Sequence, residues 1–419
     1  MFIAIGLIIL LITAYLLIKQ YETRMVLFVS GLAMAIIAGN PMAAFTAFST
    51  AMKNANLIEP IVAAMGFAAV LQITKCDQHL IHLLAKGLKR VGPAIIPGAV
   101  LATALVNTSI TSAAGCSAAV GAILIPVLIG AGVHPAIAAT AIFAGTYGSP
   151  MLNPGFGQIA IISEAARTGA MDVISNHAQT VMLLAVIAAA SLTIVSYVLK
   201  EHKGYVPDES SEIAEVKISY IKALVPMLPL VLLLLGSTNT VPVMKKLAIS
   251  HAMIIGVLAA LFVSRMSPGD ISKAFFKGFG DGFSQVFGII AMSLVFVAGM
   301  NSLGIIKAMI AVMIENPAIA KISATFGPFL LAVICGSGEA ASIAFNQTVT
   351  VNASNLGLNA LDLGSLAAIS GALGRTMSPI AGAAIICAGF AKISPLELAK
   401  RNAPGMVLAA IVTMAMLMA

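Results

Sequence analysis

Residues 133–155, VHPAIAATAIFAGTYGSPMLNPG, and residues 362–379, DLGSLAAISGALGRTMSP, decide the fold, because the same interruption breaks an apolar segment in both. The Ser-Pro pairs of the two segments lie 229 residues apart, and Gly145 and Gly374 keep the same offset. Proline and glycine both weaken a helix interior. The recurrence therefore predicts two copies of one structural unit, each containing a broken helix.

The composition around these segments indicates a membrane protein. The 419-residue chain is 60% hydrophobic and only 9% charged, with a mean hydropathy of +1.03, whereas soluble domains carry about 25% charged residues. Apolar runs recur throughout, and they are continuous, which favours spanning helices of ~20 residues over a β-barrel. The first run, residues 2–18, has no basic flank before it and no cleavage site after it, so we expect a retained helix.

Charge and cysteine content exclude several classes of site. The net charge of +7 is accounted for by basic residues in the short loops that orient membrane helices, so we expect no nucleic-acid partner. The four cysteines are scattered and form no C-x-x-C pair, which argues against a disulfide framework, an iron–sulfur centre or a zinc ribbon. We therefore expect neither a metal site nor a cofactor.

Two halves with the same order of segments follow from the hydrophobic pattern. The first half is predicted to contain helices 2–18, 25–39 and 57–73, an interfacial helix 77–91, the stretch 93–131 interrupted at 107–112, segments 133–147 and 156–166 around the break at 148–155, and helix 178–199. The second half repeats this with 218–236, 247–264, 281–300, the interfacial segment 302–315, the stretch 318–358 interrupted at 336–339, segments 362–374 and 380–391 around the break at 375–379, and helix 404–418.

The predicted fold is an all-α polytopic membrane protein with two inverted-topology repeats, each with about five transmembrane helices, a re-entrant hairpin and a broken helix. The repeats would be residues 1–199 and 218–419, joined by a charged cytoplasmic linker at 200–217. If each interrupted stretch enters and leaves on one side, the first half crosses the bilayer five times. An odd number of crossings inverts the second half, as in many secondary carriers.

The basic residues support one orientation. With both termini in the periplasm, 16 of the 23 lysine and arginine residues fall on the cytoplasmic side, six fall outside and Arg375 stays in the membrane. The positive-inside rule favours this arrangement. Reading each hairpin as two full crossings gives the same charge division, so the count supports the orientation and not the re-entrance.

The four polar breaks, at residues 107–112, 148–155, 336–342 and 375–379, are the predicted site. An unpaired backbone N–H or C=O in hydrocarbon costs several kcal/mol, so such breaks survive where they line a cavity or pack against protein. Helix N-termini that meet at the midplane would present free N–H groups and positive dipole ends to an anion. The structural alternative is that Ser and Thr satisfy the broken backbone and glycines permit close packing.

Arg375 is the sharpest single candidate, because arginine at the bilayer centre costs roughly 2.5–3.5 kcal/mol on insertion scales. Its guanidinium matches a carboxylate, so we expect it to bind one carboxylate of the substrate. The alternative is a permanent ion pair with Glu339, the one acidic residue in the hairpins. The two roles do not exclude each other, because Glu339 could hold Arg375 when the site is empty, or carry a coupling proton. Thr146 occupies the equivalent position in the first repeat.

Other polar residues are weaker candidates. Glu59 and Asp362 are interpreted as helix-end charges, and His134, before Pro135, as a helix cap in preference to a proton relay. His79 and His82 lie on the polar face of the interfacial helix, where a metal site has little support.

Two stretches of the first half resemble a known family: residues 15–37, YLLIKQYETRMVLFVSGLAMAII, and residues 107–155, which begin NTSITSAAGCSAAVG. They are similar to bacterial anaerobic C4-dicarboxylate carriers of the DcuC type, within the ion transporter superfamily. The resemblance implies inverted repeats, a dimer working as an elevator, and fumarate, malate, succinate or aspartate as cargo. It also matches residues 107–109 with a hairpin tip that, in sodium-coupled relatives, touches the substrate carboxylate and sodium. The residue order differs here, so the coupling ion stays open between H⁺ and Na⁺.

The sequence thus predicts a secondary active transporter of small dicarboxylates in the bacterial inner membrane, in contact with lipid and forming a homodimer. The alternatives are a cation/proton antiporter that uses Glu339 and a carrier of another small organic anion. An enzyme is disfavoured because H-E-x-x-H and G-x-S-x-G motifs are missing. The residues predicted to bind substrate are Asn107, Thr108, Ser109, Ser112, Ser149, Asn153, Ser337, Gly338, Glu339, Arg375, Thr376 and Ser378.

Overall fold

The computed structural model describes residues 2–19, 21–88, 92–206, 218–237, 247–315 and 317–418, and these are helical with no strands. The linker prediction for 207–217 and the end of the interfacial helix at 89–91 lie outside the described residues.

The first half contains α1 (Phe2–Ile18), α2 (Thr23–Ile37), α3 (Met42–Ala51), α4 (Ala55–Thr74), α5 (Cys76–Leu88), α6 (Ile95–Ser109), α7 (Ala113–Gly130), α8 (Pro135–Gly145), α9 (Gly157–Ala166) and α10 (Ala170–Val198). The second contains α11 (Tyr220–Leu224), α12 (Leu228–Ser237), α13 (Ile249–Ser264), α14 (Pro268–Asp281), α15 (Gly288–Ser302), α16 (Ile305–Glu315), α17 (Pro317–Cys335), α18 (Gly338–Thr348), α19 (Ala360–Arg375), α20 (Gly382–Ala391) and α21 (Pro395–Leu417).

Several predicted boundaries were wrong. Helices α3 and α14 occupy stretches that the sequence pattern left as connections, and α21 begins at Pro395 instead of residue 404. The early start has a local cause: Ser394 accepts a hydrogen bond from the backbone N–H of Leu396 (3.3 Å), and Pro395 takes the first helical position. A proline there costs no hydrogen bond, because the first N–H groups of a helix have no partner within it.

Membrane-spanning length is reached by some of these helices. Among the described residues, Ala113–Gly130, Ala170–Val198 and Pro268–Ser302 are long and apolar enough to span, or five spans if two bent pairs are each counted as one. Seven further apolar helical stretches among the described residues are shorter, with 10–17 residues each. Helix α5 turns away from α4 by 69°, as expected for a helix that lies along the interface. The prediction of about five spans in each half is not tested by helix length.

The helices form two bundles. The frame bundle contains α2, α3, α4, α13, α14 and α15, in which α2 and α3 pack against α15 while α13 and α14 pack against α4. The site bundle contains α6–α10 and α17–α21, in which α6 and α7 pack against α8 while α17 and α18 pack against α19. In the site bundle, the packing pairs of the first half recur between the corresponding helices of the second half. In the frame bundle, each pair joins a helix of one half to a helix of the other, and exchanging the two halves gives the same set of pairs.

Two glycines of the site bundle show the same recurrence in atomic detail. A Cβ placed on Gly145 would lie 2.4 Å from Cβ of Thr103 in α6, and one placed on Gly374 would lie 2.1 Å from the carbonyl oxygen of Phe329 in α17. Each glycine therefore permits the close approach of a broken helix to the first arm of the neighbouring interrupted stretch. The two glycines therefore recur 229 residues apart because each repeat needs a residue without a Cβ at the same helix contact.

The interrupted stretches double back on themselves. Helix α6 ends at Ser109 and α7 begins at Ala113, and the Cys116 thiol of α7 donates to the Thr103 carbonyl of α6 (3.8 Å). Because these residues lie on opposite sides of the break, the chain reverses there. Helices α17 and α18 likewise pack against each other across the break at residues 336–337.

Candidate functional site

All four predicted breaks meet at one cavity of about 340 Å³. The residues of the four breaks that line it are Thr111, Ser112, Gly148, Pro150, Gly155, Gly336, Ser337, Gly338, Glu339, Ser342 and Arg375. The frame bundle closes one side of it with Ile61 and Met65 of α4 and Val286 and Ile289. The predicted convergence is therefore present, and the cavity lies where the two bundles meet.

Four helix N-termini point their first turns at this cavity. Its lining includes the first two residues of α7, α9, α18 and α20. Ser112 caps α7 through the N–H of Gly115 (3.2 Å), and Ser337 caps α18 through the N–H of Ala340 (3.4 Å). Helices α9 and α20 have no side-chain cap. Since each helix start carries about half a positive charge and unsatisfied N–H groups, the cavity is suited to an anion.

Arg375 reaches the cavity from the last turn of α19. Its guanidinium donates to the hydroxyl of Thr146 (3.3 Å) and to the Thr146 carbonyl oxygen. Thr146 is the C-cap of α8, so the cation lies at the negative end of that helix dipole. The two equivalent positions of the proposed repeats are thus in direct contact. Arg375 is half-buried and lines the cavity.

Glu339 lines the same cavity in the first turn of α18. Among the described residues, the ion pairs within 4.0 Å do not include one between Glu339 and Arg375. The alternative of a permanent ion pair is therefore not what the structure contains. Glu339 and Arg375 therefore line one cavity without forming an ion pair within 4.0 Å.

Several predicted residues hold the backbone together instead of facing the cavity. The Asn107 amide donates to the carbonyl of Ile110 (2.8 Å) and accepts from the Ser149 hydroxyl (3.2 Å). The Asn153 amide donates to the carbonyl of Thr108 (2.7 Å). These residues do not line the main cavity, because they lie in the last turn of α6 and in the break that packs against it. They fit the structural alternative for Ser, Thr and Asn.

The remaining predicted residues are also away from the main cavity. Ser109 donates to the Pro226 carbonyl (3.2 Å), and with Thr108 and Asn153 it lines a separate space of about 20 Å³. Thr376 is fully buried and donates to the carbonyls of Ala372 (2.8 Å) and Thr146 (3.3 Å). Ser378 is fully buried. Of the twelve predicted residues, Ser112, Ser337, Gly338, Glu339 and Arg375 line the main cavity.

Gln158 and Ser342 also line the cavity. Gln158 was missed by the sequence interpretation, whereas Ser342 lies in the predicted break 336–342 without having been among the predicted binding residues. The Gln158 side-chain NH₂ donates to the Ser342 hydroxyl (2.6 Å), which itself donates to the carbonyl of Gly338 (2.7 Å). This chain of bonds ties the start of α9 to the start of α18. The only signal in the sequence was a lone amide in the apolar run that follows Gly157.

His177 also went unpredicted. It is fully buried and bridges the Ser365 hydroxyl of α19 (2.9 Å) and the Met151 carbonyl of the 148–155 break (2.9 Å). The imidazole therefore fixes one break against the other broken helix.

The weaker candidates form hydrogen bonds that hold the fold together. Glu59 accepts from Ser250, and His134 caps α8 through the N–H of Ala136 (3.2 Å). His79 accepts from the N–H of Ser219 (3.3 Å), and Asp362 accepts from Asn176 (2.8 Å). Within the described part of the chain, no group of three or more His, Cys, Asp or Glu side chains is placed to hold a metal ion.

The sequence is similar to known carriers along its whole length. The model of the DcuC family, described as C4-dicarboxylate anaerobic carrier, matches residues 1–419. An uncharacterized transporter of Haemophilus influenzae is 42% identical over 270 residues, covering 62% of this chain and 97% of that protein. The anaerobic C4-dicarboxylate transporter DcuC of Escherichia coli K12 is 24% identical over 429 residues, covering 95% of this chain and 92% of that protein.

Two solved structures share the fold. Neisseria gonorrhoeae MtrF, from a class of antimetabolite efflux pumps, aligns with a TM-score of 0.65 and 13% identity, covering 90% of this chain and 82% of that one. The Alcanivorax borkumensis YdaH transporter, described as having an unusual topology, aligns with a TM-score of 0.64 and 16% identity, covering 89% of this chain and 87% of that one.

Proposed function

The chain belongs to the C4-dicarboxylate anaerobic carrier family, and from that premise we propose that it is a secondary active transporter of small dicarboxylates such as succinate, fumarate or malate. The family consists of carriers and not enzymes, and its members are multi-pass proteins of the bacterial inner membrane. The observation that carries the proposal is the meeting of four helix N-termini and Arg375 in one cavity at the joint between the bundles.

The charges of this cavity suit a dianion. Four helix starts together supply roughly two positive charges, at about half a charge each, while the charges of Arg375 and Glu339 in the same cavity offset one another. Arg375 adds a fork that binds one carboxylate in two hydrogen bonds, while the uncapped starts of α9 and α20 offer N–H groups to the other. Ser112, Ser337 and Gly338 would complete the contacts. Asn107, Thr108, Ser109, Ser149, Asn153, Thr376 and Ser378 would keep the breaks in shape.

The repeat explains how such a site forms. The duplicated packing supports two repeats, residues 1–199 and 218–419. Their inverted topology and a cytoplasmic linker at 200–217 follow from an odd number of crossings in the first repeat and from the positive-inside rule. The reversals between α6 and α7 and between α17 and α18 support re-entrant hairpins that enter from opposite sides. Both repeats then contribute the same parts to one midplane site.

Alternating access follows from the two bundles. Relative movement of the site bundle along the frame bundle would carry the cavity from one side of the membrane to the other, as in an elevator. The positive-inside distribution places both termini in the periplasm. A homodimer, packed through the frame bundle, would hold that bundle still in the lipid, and H⁺ or Na⁺ would drive the cycle.

Glu339 supports a second candidate function. Glu339 lines the cavity without an ion pair to Arg375. A cation/proton antiporter could use its carboxylate as the group that binds the cation or the proton. That function predicts cation-driven proton flux without any dicarboxylate, and activity that survives Arg375→Gln. A carrier of another small organic anion would keep the Arg375 dependence and change only the preferred substrate.

The test is uptake of labelled dicarboxylate by vesicles containing Arg375→Ala. Loss of two charge-assisted hydrogen bonds, each worth about 1.5–3 kcal/mol, is expected to abolish uptake while the protein still inserts. Arg265→Ala is the matched control, because Arg265 is exposed at the end of α13. Normal uptake by Arg375→Ala would refute the assigned role, and proton flux that persists without dicarboxylate would favour the antiporter.

A further inference from the structure

A second and larger cavity, of about 660 Å³, lies beside the first one. Its wall contains the end of α9, with Glu164 and Arg167, the end of α18 with Gln347, the residues that follow α18, and Leu294 of α15. It therefore lies at the same joint between the frame bundle and the site bundle. The sequence interpretation assigned no role to these residues.

Three helices run from the first cavity to the second in the same order. Along α18, Ser342 lines the first cavity and Gln347 the second; along α15, the corresponding residues are Ile289 and Leu294. Helix α9 passes from Gln158 in the first cavity to Ile161 and Glu164 in the second. Three to five helical residues rise about 4.5–7.5 Å. The two spaces are thus separated by a layer about one turn thick.

This layer is apolar and comes from both bundles. Ile61 and Ile290 belong to the frame bundle, and Ile161 and Ile343 belong to the site bundle; they form one buried cluster with Phe287. None of these side chains is more than 4% exposed. A charged solute cannot cross such a layer without losing its hydration. The layer therefore closes the joint as the structure stands.

We propose that the larger cavity is the vestibule by which the substrate reaches the central cavity, and that Ile161, Ile290 and Ile343 form its closed gate. This inference rests on the proposed transport function. Because the gate is built from two bundles, movement of one bundle along the other opens it without unfolding a helix. The Asn54 amide of the frame bundle donates to Glu164 of the site bundle (2.8 Å) at the rim, and this contact breaks when the gate opens.

The vestibule is lined by one cation and one anion, Arg167 and Glu164. Among the described residues, Arg167 has no ion-pair partner within 4.0 Å, and Glu164 accepts a hydrogen bond from the Asn54 amide. An approaching dicarboxylate thus meets a guanidinium outside any ion pair, beside a carboxylate that offsets its charge, so the vestibule carries no net positive charge.

Thiol labelling of the full-length protein in detergent tests the gate. Ala165→Cys places a reporter in the vestibule and Ala114→Cys places one in the central cavity. Cys76, Cys116 and Cys387 are buried, and the parent protein gives the background of all native cysteines. The probe is a charged methanethiosulfonate reagent. Ile343→Ala and Ile161→Ala widen the gate, and Ile194→Ala, at a residue 63% exposed on α10, is the matched control.

We expect rapid labelling at Ala165→Cys and slow labelling at Ala114→Cys. Either gate substitution should speed labelling at Ala114→Cys about tenfold and leave Ala165→Cys unchanged, whereas the control should change neither. Equal rates at the two reporters in the parent, or no acceleration by either gate substitution, would overturn the gate. Labelling needs no substrate, so a barrier found in a protein that transports no dicarboxylate would uphold the gate while refuting the proposed function.

Discussion

The substitution Gly338→Ala is expected to damage substrate binding by moving the start of α18. A Cβ on Gly338 would lie 2.4 Å from the carbonyl oxygen of Gly371 in α19, where ordinary contact begins near 3.4 Å. The two helices must therefore separate by about 1 Å, and overpacking of this kind costs about 1–3 kcal/mol of stability. A hydrogen bond of 2.9 Å stretched by this amount is no longer one.

The expected loss of affinity follows from the hydrogen bonds at stake. Losing one charge-assisted bond from the α18 start costs about 1.5–3 kcal/mol, which weakens dicarboxylate binding about 10-fold to 150-fold. Gly371→Ala should act in the same direction, because its Cβ would lie 2.6 Å from the Gly338 carbonyl oxygen, although Gly371 itself does not line the cavity.

The assay is a calorimetric titration of the purified protein with dicarboxylate, which gives the affinity. Thermal unfolding of the same variants gives their stability. Gly327→Ala is the matched control, because a Cβ at this helical position of α17 meets nothing within 4 Å. It should raise stability by about 0.5–1 kcal/mol and leave affinity unchanged. Wild-type affinity in both Gly338→Ala and Gly371→Ala would refute the reasoning.

Three further outcomes are expected. Gln158→Leu removes the bond to Ser342 (2.6 Å) and should weaken dicarboxylate binding about 2-fold to 10-fold, since such a bond contributes about 0.5–1.5 kcal/mol; calorimetry showing no change would contradict this. Burial raises the pKa of Asp77, at the start of α5, to about 6, so the folded protein favours the protonated form and loses stability as pH rises from about 4 to about 6. Asp77→Asn should abolish that loss in melting curves recorded across this range. Arg401→Lys should lower the melting temperature by several degrees, because lysine cannot reproduce the two hydrogen bonds of Arg401 to Glu201 (2.8 and 2.5 Å). An unchanged melting temperature would show that this ion pair contributes little to stability.

The order of breaks was enough to predict their convergence, because a polar interruption in lipid must line a cavity or pack against protein. Which residues of the breaks line the cavity was harder to predict. Residues 107–109 carry the polar signature, yet Thr111 and Ser112 line the space. Whether a side chain faces the cavity depends on where α6 ends, and a shift of one residue turns a side chain by about 100° around the helix.

Other differences have equally local causes. Helix α3, with 10 residues, is shorter than the window of about 11–18 residues in which apolar periodicity identifies a helix. Helix α14, with 14 residues, falls inside that window and was missed. The early start of α21 was hidden by Pro404 within it, which suggested a helix start. The contact of Arg375 with Thr146 depends on the approach of two elements 229 residues apart, which no local pattern reports.

The most direct test of the central claim is the position of bromosuccinate bound to the protein, located from the anomalous scattering of its bromine. We expect the bromine within the cavity of about 340 Å³, with one carboxylate on the Arg375 guanidinium and the other on the backbone N–H groups at the starts of α9 and α20. A bromine located outside that cavity, or an empty cavity at saturating ligand, would contradict the account.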